Sequence, residues 1–292
     1  MKTLKLYIAI AYGLAWAAGL AFYLSGTLVA SFAGATTLWA ALYMFIPLVA
    51  VLVCQKSGKE PLLHGIGISW KVNRWWFVGW LLILAIALLT ILFTFWTSGF
   101  SYYTSDEAMS FGPDDDPIRM VTVTLIAGMV AGATINALFA FGEEVGWRGY
   151  LLKQFEGRHF ITSAIVIGLI WGLWHAPFIL LGHNYPQHPQ LGVLFMMVLC
   201  IPLNFILQYF RVKSGSVIAT AIMHGTFNAV ANTAMLLIDI RQWNDLLEGG
   251  CGLTGICSLL VAALAIFLFD RYVTRDRICT SKLTLPDPNK KQ

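Results

Sequence analysis

The chain has 292 residues, of which 58% are hydrophobic and only 12% charged, with a formal net charge of +4. An ordinary globular domain carries about 25% charged residues, so the composition excludes a soluble domain and an intrinsically disordered chain and indicates an integral membrane protein. The cations are scattered along the chain rather than gathered in a patch, which leaves no footing for nucleic acid.

Apolar windows of about 20 residues, enough to cross ~30 Å of hydrocarbon at ~1.5 Å per residue, recur along the sequence. They lie at 6–24, 37–54, 76–97, 120–142, 161–182, 191–210, 216–238 and 251–269. The expected fold is therefore all-α: a polytopic bundle of about eight membrane helices, with residues 1–280 as one integral membrane domain. The first window follows Met1-Lys-Thr-Leu-Lys and exceeds a signal-peptide apolar core, so it reads as a retained helix. With both termini cytoplasmic, 17 of the 19 Lys and Arg fall on the inner side, the exceptions being Arg119 and Arg241. The Asp114-Asp115-Asp116 run reads as a solvated outer loop, as do His183 and His188, while His64 and His159 fall in inner loops. The Pro- and Lys-containing end, 281–292, is expected to be a disordered cytoplasmic tail. Cys54, Cys200, Cys251, Cys257 and Cys279 show no metal-binding or redox spacing and are assigned no chemistry.

Charged groups at bilayer depth are costly unless paired or hydrated, so each is a functional-site candidate. The fourth segment ends in FGEEVGWRG, with Glu143, Glu144 and Arg148; the fifth carries His175, the sixth Asn204 and Gln208, and the seventh His224, Asn228 and Asn232. If the fourth helix continues to Gly157, Glu143 and His175 each lie about 21 Å from their cytoplasmic ends and His224 about 15 Å, a common slab. Such a helix approaches forty residues and must tilt, break at Gly142 or Gly146, or run along the interface. Glu144 and Arg148, four apart, can pair on one face, whereas Glu143 is turned by about 100° and left free for acid–base work. Trp171 precedes His175 by one turn, and Pro177 removes the helical bond to the Leu173 carbonyl, leaving an acceptor beside the histidine. His224 and Asn228, again four apart, can aim two donors at one oxygen. Taken one at a time these are structural residues: an interhelical histidine, a buried ion pair, amide side chains as interhelical glue. Their coincidence on three helices at similar depth is what favours a site.

The three motifs Glu143-Glu144-Val-Gly-Trp-Arg148, Trp171-Gly-Leu-Trp-His175 and His224-Gly-Thr-Phe-Asn228 resemble the EExxxR, FxxxH and HxxxN/D signature of the CPBP intramembrane proteases. That group comprises the type II CAAX prenyl endopeptidases and the bacteriocin-processing or immunity (Abi) relatives, and the resemblance covers about residues 120–235. It implies that Glu143 and His175 activate water, that His224 and Asn228 hold the oxyanion, and that Glu144 and Arg148 support them. Trp171 stands where the family usually has Phe, which bears on pocket shape and substrate fit. The family is often labelled metallopeptidase. Glu143, His175 and His224 would supply the ligands of a His2Glu zinc site, and a metal-free glutamate mechanism uses the same side chains. The substrate implied is a membrane-associated peptide or protein, CAAX-type or pheromone- or bacteriocin-like, cleaved in the cell membrane. The competing expectation is a non-proteolytic membrane protein, such as an immunity factor, scaffold or proton-coupled carrier. A carrier would show inverted repeats, and none is evident.

Overall fold

The computed structural model describes residues 2–25, 39–99, 116–238 and 243–286. Asp114, Asp115, Arg241 and the last six positions lie outside the described residues. The chain is all-helical, and the sole pairing of extended backbone among the described residues is an isolated bridge between His159 and Lys282. In chain order the helices are α1 (Lys2–Leu24), α2 (Trp39–Ser57), α3 (Arg74–Ser98), α4 (Pro117–Leu151), α5 (Phe160–Trp174), α6 (Ala176–Ile179), α7 (Pro189–Ser214), α8 (Val217–Val230) and α9 (Leu253–Tyr272).

Local chemistry sets the ends of these helices. The Asn73, Asp116 and Ser216 side chains accept the amides of Trp75, Ile118 and Ile218 at the starts of α3, α4 and α8, each satisfying a donor that has no partner within its helix. Pro117 and Pro189 occupy first-turn positions, where a missing N–H costs nothing. Gly215, with φ of +71°, ends α7.

Each of the eight apolar windows overlaps a helix, and among the described residues six helices are long and apolar enough to cross a membrane, leaving two windows on shorter helices. The two short ones are α5, with 15 residues, and α8, with 14; at ~1.5 Å per residue both fall well short of ~30 Å. The reason is their position. Most of α8 is buried, and α5 packs along its length against α7, so neither must match the lipid thickness on its own. The chain beyond α8 continues as a short 3-10 turn, Thr233–Leu237, and the Asn232 side chain accepts the Gly250 amide at 3.0 Å. Irregular backbone at such depth is tolerated where protein groups satisfy it. The longer helices turn apolar side chains outward instead: Ile118, Val123, Ile126, Val130, Ile135 and Leu138 are exposed along α4.

The long fourth helix runs without a break but ends at Leu151, short of Gly157. Two π-helical windings, Gly132–Asn136 and Val145–Leu151, interrupt the α-helical pattern of α4 while the backbone runs on. At the first winding α8 comes very close. A Cβ on Gly132 would lie 2.3 Å from the Thr226 Cα, and one on Gly225 would lie 2.4 Å from the Ala137 nitrogen. Reciprocal glycines let the two backbones touch there.

The tail boundary moves. Residues from Ser281 were expected to be disordered, yet the Phe160 amide donates to the Ser281 carbonyl at 3.0 Å, and Leu283 exchanges bonds with Gly157 and Arg158 at 2.9 and 2.7 Å. Leu283 is buried. The first turn of α5 has orphan amides, and the tail supplies an acceptor for that of Phe160. His188 is likewise bound rather than freely solvated: its Nδ1 lies 2.7 Å from Asp245, whose buried carboxylate also accepts the amides of Gln187 and His188. Asn204 and Gln208 donate to the carbonyls of Ala164 and Phe160, joining α7 to α5 as interhelical glue.

Candidate active site

Every residue from Gly142 to Leu152 is buried, so α4 is surrounded by protein at its C-terminal end and its charges must be satisfied internally. Glu144 and Arg148 do so as their spacing predicts, Nη1 lying 2.7 Å from Oε1 with both side chains at 0% exposure. The same Oε1 accepts Nδ1 of His224 from α8 at 2.9 Å. One carboxylate oxygen therefore joins an arginine and a histidine from two helices. Arg148 also stacks over Trp171 of α5, its guanidinium carbon 3.9 Å from the ring centroid, a cation–π contact made stronger by desolvation.

Glu143 points to a different set of partners. Its Oε2 accepts Nε1–H from Trp171 at 2.7 Å and from Trp147 at 3.3 Å. The role of Trp147 was missed from sequence, although it follows Glu143 by four residues and the i, i+4 rule that found the Arg148 pair would have found it. The link from His224 to Glu144 had no such local signal, because it joins residues 80 apart in the chain.

His175 lies at the break that Pro177 imposes between α5 and α6. Its backbone amide bonds to Gly172 at 3.2 Å, leaving the Trp171 carbonyl for the imidazole, whose Nδ1 lies 2.9 Å away. A carbonyl only accepts, so Nδ1 carries the proton and a neutral His175 has its lone pair on Nε2. The Trp174 carbonyl, also released, accepts the Tyr43 hydroxyl at 2.6 Å. Sequence reasoning anticipated a freed carbonyl beside the histidine; the one used is that of Trp171 rather than Leu173.

The structure thus gathers Glu143, Arg148, His175 and His224 around the Trp171 indole, with Glu144 joining Arg148 to His224. Trp171 lies 5.2 Å, ring to ring, from His224 and 5.8 Å from His175. Asn228 stands one turn beyond His224 and is exposed. As for zinc, no three His, Cys, Asp or Glu side chains gather as a metal-binding group among the described residues. Glu143 Oε2 is engaged by two indoles. Glu143, His175 and His224 as placed therefore do not fit a His2Glu centre, and no step below is routed through a metal.

Two comparisons bear on this arrangement. Residues 127–230, which hold all three motifs, match the family described as type II CAAX prenyl endopeptidase Rce1-like. Over 201 residues the chain is 28% identical to a protein named CAAX prenyl protease 2 from Methanococcus maripaludis, a match spanning 66% of this chain and 65% of that protein. The stretch that carries all three motifs is thus similar to the Rce1-like type II CAAX prenyl endopeptidases, in a chain whose described residues include six helices long and apolar enough to cross a membrane.

Proposed function

We propose that the protein is an intramembrane endopeptidase of the cell membrane that hydrolyses a peptide bond in a membrane-associated substrate, CAAX-type or pheromone- or bacteriocin-like. The observation that carries this is the meeting of the three motifs: buried carboxylates from α4, a part-buried imidazole from the α5–α6 break and a buried imidazole from α8, all in contact with Trp171 or with each other. The name of the archaeal relative supports the same reaction class.

In this mechanism Glu143, with His175 Nε2, takes a proton from a water whose oxygen attacks the scissile carbonyl. The new C–O bond gives a tetrahedral oxyanion. His224 has Nδ1 committed to Glu144, so Nε2 is the nitrogen left to face the substrate; as imidazolium its Nε2–H, with the Asn228 amide, would hold the oxyanion. Collapse breaks the C–N bond, and the proton taken from water passes to the leaving amine. Glu144 and Arg148 hold His224 in place without touching the reacting atoms.

The test is cleavage of a fluorogenic prenylated peptide by purified protein in liposomes. Glu143→Gln or His175→Ala should lower turnover by roughly 10²- to 10⁴-fold, the usual contribution of a general base, with the thermal midpoint preserved. Undiminished cleavage by either variant would sink the catalytic assignment, whereas absence of cleavage by the unaltered protein would leave the non-proteolytic expectation standing.

A further inference from the structure

Trp171 makes a contact with each of four polar side chains at the centre of the molecule. Its indole N–H donates to Glu143 at 2.7 Å, its ring face carries Arg148, its ring edge meets His224, and its backbone carbonyl accepts a hydrogen bond from His175 Nδ1–H. It is 2% exposed, so water does not compete for these contacts. Three of the four come from the side chain, and only one, the donation to Glu143, requires a nitrogen in the ring. Any aromatic could supply packing against Arg148 and His224.

We propose that Trp171 is a positioning residue for Glu143: its Nε1–H fixes one carboxylate oxygen and so directs the other toward the reacting water. The inference rests on the assignment of Glu143 as base given above. A carboxyl group can rotate, and with both oxygens free it samples orientations that place neither lone pair on the water. One short charge-assisted hydrogen bond in a dry site removes that freedom. Trp147 reinforces the same oxygen at 3.3 Å, but its bond is longer and lies along α4 itself. Trp171 donates from another helix and therefore couples the orientation of Glu143 to the packing of α5, where His175 also resides.

The experiment separates ring from donor. Trp171→Phe removes both the donor and the second ring; 3-benzothienylalanine, incorporated at 171 by nonsense suppression, keeps the two-ring shape and replaces N–H with sulfur. Both should lower kcat by roughly tenfold or more, the range expected for a lost charge-assisted hydrogen bond. KM and thermal midpoint should stay within about twofold and a few degrees. A readout independent of substrate accompanies this: the infrared carboxylate band that disappears in Glu143→Gln should shift when the Nε1–H is removed. Wild-type kcat with benzothienylalanine would overturn the proposal even if Trp171→Phe is impaired, because the ring alone would then suffice. An unshifted band would overturn it as well. If Glu143→Gln itself retains full turnover, the failure belongs to the assignment of Glu143 as base and not to Trp171.

Discussion

At the scale of single residues, what the sequence discloses is what lies within one helical turn. Glu144 and Arg148 pair as their spacing requires, and Trp171 shields His175 one turn away. What it does not disclose is the long-range choice made by His224, which bonds to Glu144 through Nδ1 and so leaves only Nε2 for the pairing with Asn228. No periodicity within α8 could reveal it, because the partner is set by how α8 crosses α4. The triad has an energetic consequence. Arg148 is fully buried and Glu144 Oε1 is its sole bonded acceptor in the described structure, so Glu144→Leu strands a guanidinium in a dry interior at a cost of about 3–5 kcal/mol. Thermal unfolding in detergent should show this as a large drop. The double variant Glu144→Leu with Arg148→Met should recover much of the loss in stability, since removing both charges removes the stranded one, while cleavage remains abolished because His224 has lost its anchor.

At the scale of elements, the sequence left open whether the helix that carries the glutamates runs past Arg148 or breaks at a glycine. It runs unbroken to Leu151, short of Gly157, and carries two π windings. Such windings, often found at functional sites, have no composition that distinguishes GATIN or VGWRGYL from ordinary helix, which is why they were invisible beforehand. The glycines are legible only in retrospect: Gly132 and Gly225 mark the contact of α4 with α8 that brings His224 to Glu144. Gly225→Ala would place a Cβ 2.4 Å from a backbone nitrogen of α4 and 2.6 Å from the Gly132 carbonyl oxygen. Neither is a flexible side-chain end, so the helices must separate. An overpacking cost of about 1–3 kcal/mol is expected, seen in thermal unfolding together with reduced cleavage. Gly13→Ala on α1, where a Cβ meets nothing within 4 Å, should leave the midpoint unchanged or slightly raised.

At the scale of the whole molecule, hydropathy located the helical windows and named the fold class, but it cannot tell a long lipid-facing helix from a short one packed largely against protein. The short helices α5 and α8 are the ones that bring His175 and His224 to the site. The C-terminal end was read as disordered because proline and lysine dominate its composition, yet Ser281 and Leu283 bond to residues 157–160 between α4 and α5. Ending the chain after Thr280 should therefore lower the thermal midpoint by several degrees, while ending it after Pro286 should not. Comparing the two truncations in the same detergent checks this directly.

The central claim is that Glu143 and His175 act together on one water. Its most direct measurement is kcat/KM for a single peptide with Glu143→Gln, His175→Ala and the double variant, each in liposomes and each confirmed folded by its thermal midpoint. Residues that work as a unit are strongly non-additive, so each single change should cost roughly 10²-fold or more and the double variant should be no slower than the slower single. A Glu143→Gln enzyme within a few-fold of wild type, or losses that simply multiply in the double variant, would contradict it.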